Sequence, residues 1–214
     1  MREMAFVGGA RPQSGWPCCG WPCCGWLCVG LFLVGCSQSS SKLTPPEIDP
    51  AGIAQAAMDS YDADKNGSLS KSELAKCPGL LSALAEYDTD KNNAISAEEI
   101  STRMQKTLDS GIGRLEFTVR VLSQGRTVQN AVVKFVPDPI MGGAILPAEG
   151  TTDYDGNASP VANPSDGLPG IQFGIYRVEI THPQLKLPAK YNTSTTLGVE
   201  VSPLSRENTV DFKL

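Results

Sequence analysis

Asp62-Ala-Asp64-Lys-Asn66-Gly67-Ser68-Leu69-Ser70-Lys-Ser-Glu73 is followed, 26 residues on, by Asp88-Thr-Asp90-Lys-Asn92-Asn93-Ala94-Ile95-Ser96-Ala-Glu-Glu99. Each stretch is a twelve-residue window. Both place oxygen-bearing side chains at positions 1, 3, 5 and 9 and a glutamate at position 12. A hard divalent cation seeks six to eight such oxygens. In the first window Asp62, Asp64 and Asn66 each offer a side-chain oxygen. Ser68 offers its backbone carbonyl, so its side chain is free to vary. Ser70 acts through its hydroxyl or a water, and Glu73 closes the sphere with both carboxylate oxygens. The second window repeats the set with Asp88, Asp90, Asn92, the Ala94 carbonyl, Ser96 and Glu99.

This is the ligand schedule of an EF-hand calcium loop, and it predicts two calcium sites. Gly67 stands at position 6, where the chain turns with positive φ. Asn93 holds that place in the second window; asparagine tolerates the left-handed region with some strain. The second site is therefore expected to be the weaker. Three acidic ligands per loop, with a lysine at each position 4, predict a Kd of roughly 10⁻⁵ to 10⁻³ M. Leu69 and Ile95 at position 8 fit a short β-pairing between two hands.

The repeat outruns the loops. Tyr61 aligns with Tyr87, Met58 with Leu84, Ala57 with Ala83, Ala54 with Leu80, and Leu74 with Ile100. Before each loop these lie on one helical face, so both flanks predict short amphipathic helices. Pro78-Gly79 limits the first exiting helix to about one turn. The arrangement resembles the compact EF-hand pairs of bacterial secreted proteins. An isolated Asp-x-Asp-x-Asn is common by chance; two in register with the same flanks are not. Asp153-Tyr-Asp155-Gly-Asn157 begins in the same way but has Ala158 at position 6 and Pro164 at position 12, and reads instead as a turn.

The N-terminus carries Arg2 and Arg11, then the short apolar run Leu27-Cys-Val-Gly-Leu-Phe-Leu-Val34, then Leu33-Val34-Gly35-Cys36. The run is too short for the roughly twenty residues that span a bilayer. The pattern resembles a bacterial lipoprotein signal, with cleavage before Cys36 and acylation of that residue. The expected divisions are a signal peptide over 1–35, a lipidated tether and linker over 36–50, the EF-hand pair over 51–108, a hinge over 109–114 and a β region over 115–214. The implied location is the cell envelope, lipid-anchored to the membrane and facing the periplasm or the exterior. Of the seven cysteines, only Cys77 then remains as a thiol, which leaves no intramolecular disulfide. The whole chain has a net charge of −5; without Arg2, Glu3 and Arg11 it is −6. An acidic surface does not favour nucleic acid. The repeated Gly-Trp-Pro-Cys-Cys of 15–19 and 20–24 has no physical account.

From Arg114 the apolar period changes to two. Phe117, Val119 and Val121 alternate, as do Ala131, Val133 and Phe135. Ile175, Val178 and Ile180, then Val199 and Val201, then Val210 and Phe212 continue the pattern. Short alternating runs between Gly, Pro and Asn turns predict an all-β sandwich of about seven strands. The fold class is thus α+β multidomain. Asn130-Ala-Val-Val-Lys-Phe-Val-Pro137, Gly150-Thr-Thr-Asp-Tyr-Asp-Gly-Asn157, Gly174-Ile-Tyr-Arg-Val-Glu-Ile180 and Leu187-Pro-Ala-Lys-Tyr191 resemble the carboxypeptidase regulatory-like domains of bacterial surface lipoproteins. The resemblance implies a transthyretin-like (prealbumin-like) sandwich with binding and scaffolding roles rather than catalysis.

Some transthyretin-like relatives are hydrolases that rely on several histidines and a distinctive C-terminal tetrapeptide. This chain has one histidine, His182, and ends Val210-Asp-Phe-Lys-Leu214, and no nucleophile, P-loop or zinc-protease motif accompanies it. A non-enzymatic role is expected. The leading expectation is a calcium-binding envelope protein whose EF-hand pair is rigidified by calcium between anchor and sandwich. The alternative is a calcium-dependent regulatory or docking module that recruits a partner, either an envelope protein or a polysaccharide.

Overall fold

A computed structural model describes residues 44–214. The expected signal peptide, the acylated Cys36 and the first part of the tether lie outside the described residues. The fold is α+β: helices come first, and strands follow. Helix α1 (Pro50–Tyr61) opens on an Asp49 cap, whose carboxylate accepts from the Ala51 N–H at 3.1 Å. Pro50 at its first position costs nothing, because that N–H has no helical partner. After the first loop come strand β1 (Ser68–Ser70) and α2 (Lys71–Leu74), a single turn. Pro78 starts α3 (Pro78–Ser82), and α4 (Leu84–Tyr87) leads into the second loop. The expected second entering helix is thus broken at Ala83, for which the sequence offers no physical reason. Strand β2 (Ala94–Ser96) and the long α5 (Ala97–Asp109) complete this region.

The remaining strands are β3 (Arg114–Leu115), β4 (Thr118–Ser123), β5 (Arg126–Thr127), β6 (Val132–Pro137), β7 (Ala148–Thr151), β8 (Asn157–Ala158), β9 (Ile171–Gln172), β10 (Gly174–Thr181), β11 (Gly198–Val201) and β12 (Thr209–Lys213). One sheet runs β11-β10-β6-β7, antiparallel throughout. A second runs β12-β4-β5, with β8 also on β4; there β12 pairs with β4 in parallel. β3 and β9 form a separate pair. Alternation puts Val119, Val121, Val133 and Phe135 wholly inside. Phe117, beside β4, meets Phe135 of the other sheet edge-on at 6.0 Å, and Phe135 meets Tyr176 at 5.8 Å, the offset geometry aromatic pairs prefer. Every alternating run read from the sequence lies in or beside β4, β6, β10, β11 or β12.

The described residues 44–214 lie within one compact unit, and the helical region packs directly on the first sheet. Gly79 of α3 sits against Ile175 and the Tyr176 backbone. Gly198 of β11 lies so close to the Pro78–Gly79 peptide that a Cβ there would overlap backbone atoms; only glycine allows this approach. Ile175 pairs with Glu200 across the sheet, so both side chains face the helices. Arg103 of α5 grips Glu200: its Nε donates to Oε1 at 2.8 Å and its Nη2 to Oε2 at 2.7 Å. Both partners are largely buried, with side-chain exposures of 11% and 3%. Tyr61 at the end of α1 donates its hydroxyl to Asp138 at 2.8 Å. The segment 109–114, expected as a hinge, therefore joins two regions already held together by buried contacts. Among the described residues, no helix is long and apolar enough to cross a membrane.

Candidate metal centre

The two loops are near-copies in three dimensions. In the first, Asp62 accepts from the N–H of Asn66 at 3.2 Å and of Gly67 at 2.9 Å. In the second, Asp88 accepts from Asn92 and Asn93 at 2.9 and 2.8 Å. Asp64 and Asp90 each accept from the position-5 N–H at 3.1 Å. Position 1 thus ties down the turn at positions 5 and 6 and leaves it curled around its own carboxylates. That curl needs left-handed backbone: Gly67 has φ of 83° and Asn93 of 63°, as their positions require. Lys65 and Lys91 at position 4 are also left-handed, at 58° and 62°. Lysine has no preference for that region, so composition alone does not foretell it.

Glutamate 12 locks the far end. Glu73 accepts from the Ala63 N–H at 2.8 Å and the Ser70 N–H at 2.9 Å. Glu99 accepts from Thr89 and Ser96 at the same two distances. Each glutamate is also the N3 residue of a capping box that starts the exiting helix, which fixes both the helix start and the carboxylate. These donors favour the ionised form. The Ser70 hydroxyl and N–H, with the Ala63 N–H, hold the Glu73 carboxyl down at about 2. Burial pushes Glu99 up, but the donors from Ser96 and Thr89 outweigh it and leave it below the ordinary range.

Three carboxylates therefore converge in each loop. Oxygens of Asp62, Asp64 and Glu73 lie within 4.8 Å of one another, as do those of Asp88, Asp90 and Glu99. Like charges at such separations repel, and a divalent cation at their centre converts that repulsion into binding. Asn66 and Asn92 stand at the rim, with their Oδ1 atoms accepting at 2.8 Å from the N–H groups of Ser68 and Ala94. The Ser70 and Ser96 hydroxyls donate to the glutamates at 2.7 and 2.9 Å. Ser68 and Ala94 fall in the strands that join the loops. There Leu69 pairs with Ile95, Ser68 with Ser96 and Ser70 with Ala94, and Leu69 and Ile95 are fully buried. Position 7 of each loop thus faces position 9 of the other, which makes the pair one mechanical object.

Two other sequence features resolve as structure. Asp153 spends its Oδ1 on the N–H groups of Asp155 and Asn157, both at 2.9 Å, with Gly156 at φ 76°; this is a tight turn. His182 accepts at Nδ1 from the N–H groups of Gln184 and Leu185 at 3.0 Å, which puts its proton on Nε2, donated to the Gln129 carbonyl at 2.9 Å. The docking residues Arg103, Glu200 and Asp138 were missed by sequence reasoning.

Residues 54–78 match the EF hand family. The match spans most of α1, the first loop with β1, α2 and the turn up to Pro78. No curated protein matches the chain. The family match, with two acidic clusters of the same build, supports calcium binding.

Proposed function

We propose that this chain is a calcium-binding, lipid-anchored protein of the cell envelope with a structural and interaction role. The observation that carries the calcium part is the paired convergence of Asp62, Asp64 and Glu73 and of Asp88, Asp90 and Glu99, in loops of which the first matches the EF hand family. Both loops bind one ion each, completed by Asn66, the Ser68 carbonyl and Ser70 in one and by Asn92, the Ala94 carbonyl and Ser96 in the other. The second is the weaker, because Asn93 holds left-handed φ without glycine's freedom.

The β region is a carboxypeptidase regulatory-like, transthyretin-like sandwich that binds or scaffolds and does not catalyse. Its lone histidine supports this reading, with both ring nitrogens engaged by backbone. A structural role for calcium is favoured over an opening groove by where the apolar helical faces go. Ile53, Ala54, Leu80, Ile100 and Met104 are all buried. Calcium then orders the helical pair on the sheet and sets the pose of the β region above the lipid-anchored Cys36. Partners are the membrane and an envelope protein or polysaccharide.

Two experiments on the full chain test this. Thermal unfolding by circular dichroism is compared in calcium and in chelator. A hundredfold excess over Kd adds about 2.7 kcal/mol per site, and an unmoved transition at millimolar calcium rules the calcium reading out. In cells fed labelled palmitate, Cys36→Ala loses the label; retained label rules out acylation at that residue.

A further inference from the structure

The period-26 repeat extends into the contacts with the β region. Tyr61 and Tyr87 stand one residue before their loops, and Cys77 and Arg103 stand four residues after their position-12 glutamates. One member of each pair holds a buried carboxylate of the β region. For the first hand it is Asp138, which accepts from the Tyr61 hydroxyl at 2.8 Å and is 1% exposed. For the second it is Glu200, 6% exposed, held by Arg103.

The second contact reaches the loop itself. Arg103 lies one helical turn beyond Glu99, on the same face of α5. Its guanidinium carbon sits 5.1 Å from the centroid of the Tyr87 ring, and its Nη1 donates to the Glu86 carbonyl at 3.3 Å. Asp88 follows Tyr87 directly. One side chain therefore touches the helix that carries position 12, the segment that carries position 1, and the β region. The planar fork is what permits this: one edge takes the carboxylate bidentately while the other nitrogen stays free for the carbonyl.

We propose that Arg103 and Glu200 are positioning residues of the second calcium loop: the Glu200 carboxylate fixes the Arg103 fork, which holds Glu99 and Asp88 at the separation the ion needs. Calcium affinity at this loop then depends on a residue of the β region. Charge acts in the same direction. Glu200 is the close, buried counter-charge of a guanidinium one turn beyond Glu99, while the exposed Glu86 carboxylate stands 3.7 Å from it; without Glu200 more of that positive charge opposes the ion. By linkage, calcium in the second loop tightens the docking of α5 on the sheet. This inference rests on the calcium reading above.

Calorimetric titration of the full chain with calcium tests it, using Glu73→Gln as the background so that the second loop reports alone. Adding Glu200→Gln weakens binding about tenfold, the usual size of the effect when a group supporting a metal ligand is changed. Adding Arg103→Lys in the same background also weakens it, because lysine keeps the charge but cannot reach carboxylate and carbonyl together. In the converse background, Glu99→Gln, the first loop keeps its affinity within about twofold when Glu200→Gln is added. A structural role alone lowers the unfolding midpoint and leaves the split between loops unchanged. Equal affinity of Glu73→Gln with and without Glu200→Gln overturns the inference, as does equal weakening of both loops. Wild-type affinity in the Arg103→Lys variant overturns the positioning role. No calcium uptake by the wild-type chain overturns the calcium reading and the inference with it.

Discussion

Gly198→Ala puts the packing of the helical region on the sheet to a test whose sign discriminates. Gly198 is not in the left-handed region, so alanine suits its backbone. Were the site open, the substitution would stabilise by about 0.4–1 kcal/mol by restricting the unfolded chain. In this fold the added Cβ meets the Pro78 carbonyl carbon and the Gly79 nitrogen. Both are backbone atoms of a helix start that Pro78 makes stiff, so no flexible side chain can give way. Overpacking of this kind costs about 1–3 kcal/mol. The unfavourable effect wins, and the net loss is about 1–2 kcal/mol. For a chain of this size each kcal/mol lowers Tm by roughly 2–4 °C, which gives a fall of about 2–8 °C. The assay is thermal unfolding of the full chain by circular dichroism in saturating calcium. A Tm equal to or above that of the wild type refutes the close approach of α3 and β11.

Leu69→Ala removes a fully buried side chain from the pairing between loops. It costs about 2–5 kcal/mol in denaturant unfolding and weakens both calcium sites together in calorimetry; loss at the first loop alone would show that the loops act separately. Burial, then the nearby Asp138 carboxylate, pushes the Cys77 thiol up to about 12. Its peptide therefore stays unalkylated by iodoacetamide at neutral pH until the chain is unfolded, as mass spectrometry will read. The sign of its pH effect follows. A folded value above the ordinary 9.0 favours the folded state below pH 9, and that contribution is lost as pH rises from 9 to about 12. Rapid alkylation of native protein contradicts the burial. Glu200→Ala strands the Arg103 charge, at a cost of about 3–5 kcal/mol, read as a lower denaturant midpoint; an unchanged midpoint speaks against the buried pair.

The loops were legible because a ligand schedule constrains every position. Asp62, Asp64 and Glu73 had to converge if the window meant anything, and Leu69 and Ile95 had to pair. The long strands were legible for a related reason: Val133 and Phe135, or Val178 and Ile180, bury one face at period two. Glu200 was not legible. Between Val199 and Val201 it reads as the solvent-facing member of an alternating strand, yet β11 is covered on both faces and Glu200 points at the helices. Arg103 likewise reads as a solvated charge on α5. Both escape notice for one reason: alternation reports one buried face, while this sheet is covered on both and the helices supply the second cover. The parallel pairing of β12 with β4 was also hidden, because period two does not distinguish parallel from antiparallel neighbours. β3, β5, β8 and β9 have two residues each, too few to alternate. The break at Ala83 and the left-handed lysines lie below what propensity resolves.

Calcium stoichiometry measured by equilibrium dialysis of the full chain bears most directly on the calcium assignment. Two ions per wild-type chain are expected at millimolar calcium, falling to one in Glu73→Gln, to one in Glu99→Gln, and to none in the double variant. No bound calcium in the wild type, or full binding in the double variant, contradicts it.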